Sequence, residues 1–120
     1  MTHFNFSNAP YPIRPDLADA YRAYWVKLST PGTWWTGEQR VAIAQESRNA
    51  LACSFCAARK TSLSPYGLVG EHEHGLGLQD AAIDAVHRIV TDQTRITQKY
   101  VNDNVANGLS KEAYVELVGE

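Results

Sequence analysis

Sulfur is scarce in this sequence, which holds two cysteines and one methionine among its 120 residues. A chain of this length can bury a modest core unaided, so it does not need a disulfide to hold its fold. Apolar runs are also short, and none approaches the ~20 residues of a membrane span. The first twelve residues lack a basic segment followed by an apolar one, which is the pattern of a secretion signal. We therefore expect a soluble, cytoplasmic protein with no membrane partner.

Neither positive nor negative charge predominates in the sequence. The formal net charge is −2, and neither basic nor acidic residues form a long run. A nucleic-acid-binding protein usually carries a basic patch or stripe, so we expect no nucleic-acid partner. In a reducing cytosol, two cysteines separated by two residues are more typical of redox or metal chemistry than of a structural bridge.

Strict alternation of apolar and polar residues is absent too, so the sequence predicts an all-α fold. We expect an irregular N-terminal arm over residues 1–14, which docks through aromatic rings such as Phe4, Phe6 and Tyr11. A single helical domain is expected over residues 15–120. The last helix reaches Glu120 without a stop signal, so we expect it to pack on a neighbouring chain or to continue in a longer protein. The predicted helices span 15–28, 37–52, 53–63, 80–91, 94–106 and 111–120.

Local signals set several helix ends and faces. Thr36 and Gln39 have the spacing of a capping box at the start of the second helix, and Asn107-Gly108 is typical of a helix C-terminus. In the second helix, Val41, Ala44 and Leu51 are expected to mark one side, away from Glu46. The first helix repeats large apolar residues every three or four positions, which predicts a core or interface face. That face comprises Leu17, Ala20, Tyr21, Tyr24, Trp25 and Leu28.

Both cysteines lie in the segment Leu51-Ala52-Cys53-Ser54-Phe55-Cys56, which we place on the first turn of a helix. Unpaired backbone N–H groups and the helix dipole stabilise a thiolate there. From helix geometry, Cys53 should have the lower pKa and Cys56 should be the more buried. Arg59 and Lys60 lie three and four residues beyond Cys56, one helical turn on, where either charge would favour the Cys56 thiolate. Two thiols so placed can act as a dithiol/disulfide couple.

Such a couple needs a group that handles protons, and four residues are candidates. Glu46 precedes Cys53 by about two helical turns, and its ordinary alternative role is that of a solvated carboxylate. His87 lies on an amphipathic helix, where a buried structural histidine is the alternative. His72 and His74 fall in a glycine-rich loop over residues 66–78 and otherwise read as surface histidines. The catalytic candidates are Cys53, Cys56, Glu46, His87 and Lys60.

A zinc site is the competing interpretation of the same residues. Cys53, Cys56, His72 and His74 form a Cys2His2 set, and zinc takes four such ligands at tetrahedral geometry. The histidines of a His-x-His segment point in different directions, however, so only a bent loop turns both inward. We therefore expect no metal and no cofactor, and we keep a zinc-stabilised binding module as an alternative.

The segment from Glu38 to Ala58, a helix followed by Cys-Ser-Phe-Cys opening the next one, resembles the alkylhydroperoxidase D-like branch of the carboxymuconolactone decarboxylase superfamily. The similarity extends over about residues 36–120. The string Cys-Ala-Ala-Arg-Lys followed by Leu-Ser-Pro is similar to one subgroup of that superfamily. The resemblance implies an all-helical domain, assembly into homo-oligomers and thiol-dependent peroxidase chemistry. It also implies that Cys56 attacks peroxide and Cys53 resolves the product, which reverses the order that helix geometry predicts.

Two positions depart from the family pattern. Lys60 stands where the family has a histidine, and Val41 stands where it has a glutamate. We expect a peroxidase or disulfide oxidoreductase that uses a peroxide or small disulfide substrate and a thiol reductant protein. A non-catalytic oligomer of the same fold is the alternative if the proton relay has been lost.

Overall fold

The computed structural model describes residues 6–75 and 77–120, so the predicted docking of Phe4 lies outside it. Over the described residues the chain forms helices and no strand, which confirms the all-α fold. None of these helices is both long and apolar enough to cross a membrane. The α-helices are α1 (Pro15–Leu28), α2 (Gly37–Asn49), α3 (Ser54–Thr61), α4 (Asp80–Asp92), α5 (Gln98–Ala106) and α6 (Lys111–Gly119).

Helix α2 starts where its capping box predicted. The Thr36 hydroxyl accepts a hydrogen bond from the Gln39 N–H (3.1 Å), and the Gln39 side chain accepts one from the Thr36 N–H (2.9 Å). These two bonds satisfy N–H groups that a helix start leaves without partners. The helix ends at Asn49, and a 3-10 turn over Ala50–Ala52 leads from it to the cysteines.

Helices α3 and α5 are shorter than predicted. Helix α3 ends at Thr61, two residues before the predicted end at Leu63. Helix α5 begins at Gln98, four residues after the predicted start at Thr94, because a 3-10 turn over Gln93–Arg95 is followed by extended backbone. The hydroxyl of Thr97 caps the new start by accepting the Tyr100 N–H at 3.1 Å. The helix therefore begins after the residue whose hydroxyl can cap it, although the helical spacing of apolar residues begins earlier in the chain.

Helix α4 is the central element of the domain, and it packs against α2, α3 and α6. Its small residues Ala82 and Ala85 are fully buried, which lets neighbouring helices approach its backbone closely. The Gly108 backbone has φ +95°, a left-handed conformation that favours glycine after α5. The apolar core consists of Trp35, Ile43, Ala82, Ala85, Val86, Leu109 and Leu117.

The inward side of α2 differs from the predicted one. Its buried residues are Ile43 and Glu46, followed by Ala50 in the next turn. Leu51, predicted on the apolar side, is 76% exposed. The prediction was wrong because it placed the inward side of the helix by the spacing of apolar residues alone. Hydrogen-bond partners inside the protein satisfy this carboxylate and allow it to be buried.

The aromatic face of α1 is mostly exposed. Tyr21 and Tyr24 are exposed, whereas Ala18 and Leu28 are the buried residues of this helix. A core role for the aromatic face is therefore wrong, and an interface role stays a prediction. The arm does dock one ring as expected, since the Phe6 ring centroid lies 6.1 Å from that of Tyr21. Tyr11 does not dock and is largely exposed.

The loop between α1 and α2 is attached to α6 by one carboxylate. Glu116 accepts hydrogen bonds from the backbone N–H groups of Thr33, Trp34 and Trp35, at 2.9, 3.0 and 3.1 Å. The Trp35 ring is buried in the core and donates its Nε1–H to the Ala113 carbonyl at 2.8 Å. Trp34 faces outward. The two tryptophans thus have different roles, which their sequence context does not distinguish.

We expect the Glu116→Ala substitution to lower the free energy of unfolding by about 2 kcal/mol, since it removes a charged acceptor from three N–H groups. Val118→Ala, an exposed position on the same helix, is the matched control and should change stability little. Urea denaturation followed by circular dichroism measures both. Equal stabilities for the two variants would contradict this role of Glu116.

Candidate active site

The two cysteines lie at the start of α3, as the sequence predicted. Cys53 is the N-cap residue and Cys56 lies in the first turn. Both are free thiols and both are buried, with 3% and 1% of their surfaces exposed. A cavity of about 260 Å³ reaches them. Its lining is formed by Ala50, Leu51, Cys53, Cys56, Ala57, Lys60, Val90 and Thr91.

His87 on α4 lies against Cys56, and Glu46 on α2 lies on the far side of the His87 ring. His87 Nδ1 lies 3.2 Å from Cys56 Sγ, and His87 Nε2 lies 2.9 Å from Glu46 Oε2. An ionised carboxylate only accepts hydrogen bonds, so His87 carries its proton on Nε2 and presents the Nδ1 lone pair to the sulfur. The structure therefore places a carboxylate, an imidazole and a thiol in series.

Asp84 and His72 form a second series of the same kind. His72 Nε2 lies 2.7 Å from Asp84 Oδ1. The other ring nitrogen, Nδ1, lies 3.4 Å from Cys56 Sγ and 3.7 Å from Cys53 Sγ. The His72 side chain is only 9% exposed, although it belongs to the loop of residues 62–79 between α3 and α4.

That loop is held against the cysteines by its backbone and by Glu73. The Glu73 N–H donates to Cys53 Sγ at 3.3 Å, and the Glu73 carboxylate accepts the N–H and hydroxyl of Ser54 at the start of α3. Further along, the Gly75 N–H donates to Glu46 Oε1 at 2.7 Å. The loop thus caps α3 and places His72 beside the sulfurs.

Four ligand atoms of metal-binding type converge at this point. The Sγ atoms of Cys53 and Cys56 and a ring nitrogen of His72 and of His87 all lie within 4.8 Å of one another. The set differs from the Cys2His2 set that the sequence predicted, because His74 is exposed and its ring contacts the Gly75 carbonyl. His87 occupies the fourth position instead. The geometry is thus compatible with a metal ion as well as with thiol chemistry.

The two thiols have opposite electrostatic surroundings. Burial raises the pKa of Cys53, but the N–H groups of Cys56 and Glu73 and the His72 ring outweigh it and lower that pKa to about 6. Burial raises the pKa of Cys56, and the hydrogen bond and charge of Cys53 raise it further. The order agrees with the helix-geometry prediction that Cys53 ionises first.

Both carboxylates behind the histidines are held in their ionised forms. Burial alone would raise the pKa of Glu46, but the Gly75 N–H, the His87 ring and Asn49 lower it below the usual range. Burial likewise opposes ionisation of Asp84. His72, Tyr100 and Arg59 outweigh that effect and bring its pKa far below the usual range. Each histidine ring is therefore hydrogen-bonded to an ionised carboxylate through the nitrogen that faces away from the sulfurs.

Asp84 is the main residue that the sequence analysis missed. It accepts hydrogen bonds from Arg59 (2.7 Å), His72 and the Tyr100 hydroxyl. One signal was available, since Asp84 precedes His87 by three residues and therefore lies on the same face of a helix. Lys60, a predicted site residue, lines the cavity with an exposed side chain. Arg59 beside it is buried and ion-paired.

Comparison with known protein families, with curated proteins and with solved structures finds no match for this chain. The family resemblance in the Cys-x-x-Cys segment therefore stays a prediction.

In reduced, chelator-treated protein, we expect iodoacetamide to modify Cys53 with a rate that rises with pH through a midpoint near 6, because only the thiolate reacts. Cys56 should react more slowly at every pH below about 8, since its pKa is raised. Mass spectrometry of the modified peptides measures both rates. A Cys53 midpoint near the ordinary value of about 8.5 would contradict this electrostatic description.

We expect Asp84→Asn to lower the free energy of unfolding by about 3 kcal/mol at neutral pH, because it leaves the buried Arg59 guanidinium without its anion. The pKa of Asp84 is lowered in the folded state, so its contribution exists above the unfolded-state value of about 3.9 and is lost as pH falls below it. The stability gap between wild type and variant should therefore hold from about pH 7 to 4 and shrink below that. Urea titrations across this range measure the gap.

The exposed residue Asp103, ion-paired with Lys99, provides the matched control. Asp103→Asn should cost less than about 1 kcal/mol. A comparable loss in both variants would show that Asp84 has no special structural role.

Proposed function

We propose that the protein is a dithiol oxidoreductase that reduces a hydroperoxide or a small disulfide by oxidising Cys53 and Cys56 to a disulfide. The observation that carries the proposal is the 3.2 Å approach of His87 Nδ1 to Cys56 Sγ, with Glu46 behind the imidazole. Thiol redox enzymes need a thiolate, a resolving thiol and a positioned proton carrier. All three are present within one cluster.

Cys53 is proposed as the attacking thiolate. Its sulfur accepts the Glu73 N–H and lies at the N-terminus of α3, both of which favour the anion. It attacks the distal oxygen of a hydroperoxide, so the O–O bond breaks and an alkoxide leaves. A proton from water converts the alkoxide to the alcohol. Cys53 is left as a sulfenic acid, oxidised by two electrons.

Cys56 is proposed as the resolving thiol. His87 Nδ1 takes the Cys56 proton while Glu46 stabilises the imidazolium that forms. The Cys56 sulfur then attacks the Cys53 sulfur, a disulfide forms and hydroxide leaves as water with the proton from His87. Two thiols and one hydroperoxide thus yield one disulfide, one alcohol and one water. A thiol reductant of the cell, by class a dithiol, returns the site to its reduced form.

The proposed relay replaces the one that the family resemblance implies. The family's histidine and glutamate positions carry Lys60 and Val41. In this chain His87 on α4 contacts the Cys56 thiol, and Glu46 contacts the His87 ring. Substrate access is proposed through the 260 Å³ cavity beside Lys60. Its size fits a peroxide or another small molecule rather than a folded protein. Homo-oligomer formation, which the resemblance also implies, stays a prediction.

Peroxide consumption by the metal-free, reduced protein in the presence of dithiothreitol tests the proposal. Cys53→Ser should abolish turnover. Once dithiothreitol has been removed, Cys56→Ser should consume one equivalent of peroxide and leave Cys53 as the sulfenic acid, because only an added thiol could then reduce it. His87→Gln and Glu46→Gln should each slow the resolving step, by about 100-fold for His87, because a positioned base contributes that much.

His74→Gln, an exposed histidine of the same loop, is the control and should match wild type. Circular dichroism establishes that each variant is folded. If wild type and Cys53→Ser consume peroxide equally, the proposal is wrong. Turnover that depends on Cys53 but not on His87 or Glu46 would retain the thiol chemistry and reject the relay.

A further inference from the structure

The cysteine–histidine cluster has more donor atoms than thiol chemistry requires. One imidazole behind Cys56 is enough for a proton relay, but His72 and His87 both direct Nδ1 at the sulfurs. Each is fixed in this orientation by its own carboxylate, Asp84 or Glu46. Two thiols and two imidazole lone pairs then face a single point. A cation at that point could be coordinated by all four of these atoms.

Three distances between these atoms are close to those of a tetrahedral zinc site. With Zn–S near 2.3 Å and Zn–N near 2.0–2.1 Å, neighbouring sulfur and nitrogen ligands lie about 3.6 Å apart. Three of the four S···N distances are 3.7, 3.4 and 3.2 Å. No ligand atom of the set is more than 4.8 Å from another. A tetrahedral S2N2 set selects zinc among the common divalent metals.

The surroundings match those of a metal ligand set. Ligating histidines usually donate their second N–H to a carboxylate, which fixes the tautomer and raises the basicity of the ligating nitrogen. His72 does so to Asp84 and His87 to Glu46. Zinc with two thiolates is electrically neutral, so it would remove the cost of burying two anionic sulfurs. The ligands come from α3, α4 and the 62–79 loop, which a metal would join.

We infer that the reduced protein binds one zinc ion through Cys53, Cys56, His72 and His87, and that oxidation of the two cysteines releases it. Four protein ligands leave no open position for water, so the ion is structural. In the release step, two zinc–sulfur bonds break and the sulfur–sulfur bond forms. The two thiolates lose two electrons to hydrogen peroxide, which takes up two protons and leaves as two waters. Release rests on the proposed dithiol chemistry, whereas binding does not.

Zinc titration of the reduced, chelator-stripped protein tests binding. One equivalent should bind and raise the melting temperature, since the metal binds only the folded state tightly. Cobalt in its place should show the visible spectrum of tetrahedral thiolate coordination. Cys53→Ser and His72→Ala should lose stoichiometric binding, whereas His74→Ala should keep it. Asp84→Asn and Glu46→Gln should weaken binding by about 10- to 100-fold.

Loss of binding in His74→Ala but not in His72→Ala would overturn the ligand set. Absence of stoichiometric zinc in wild type would overturn the site altogether. For the release step, peroxide is added to the zinc-loaded protein, and a chromogenic chelator records free zinc while free thiols are counted. One zinc should appear for every two thiols lost, and thiol loss without zinc release would overturn the coupling.

These outcomes separate the two proposals. Peroxide turnover by the metal-free protein without any zinc binding would leave the proposed function intact and reject the metal site. Tight zinc binding by a protein whose metal-free form is inert to peroxide would reject the dithiol enzyme and the release step, and retain the zinc site.

Discussion

The buried hydrogen bond between Glu46 and His87 is the interaction on which the site depends. His87 is wholly buried and Glu46 nearly so, and a charge in such a place is stable only when all its partners are supplied. Glu46 receives them from His87, Asn49 and the Gly75 backbone. One carboxylate thereby joins α2, α4 and the 62–79 loop. It also decides which nitrogen of His87 faces Cys56.

Asp84 repeats this arrangement one helical turn earlier on α4. It orients His72 as Glu46 orients His87, and it neutralises the buried Arg59 beside Cys56. Its other oxygen accepts the Tyr100 hydroxyl from α5. The carboxylates that orient the two histidines are therefore also the ones that hold the helices together. Fold stability and the reactivity of the thiols should respond together when either carboxylate changes.

Much of the helical architecture was predictable because its signals are local. A capping box starts α2, proline starts α1, and glycine follows α5. The errors came where side-chain hydrogen bonds override periodicity. Thr97 delays the start of α5, and the partners of Glu46 turn a polar side of α2 inward. Neither effect can be read from a helical pattern of apolar residues.

The candidate site was likewise predictable only in part. The pairing of Cys53 with Cys56 and their place at a helix start follow from adjacent residues, because helix capping and the dipole act over one turn. Sequence alone also marked Glu46 and His87 as candidates, but it gave no reason to place them together. His87 is 31 residues from Cys56 and 41 from Glu46 along the chain. Only the packing of α4 between α2 and α3, with the loop folded over the sulfurs, selected His72 and His87 and left His74 outside.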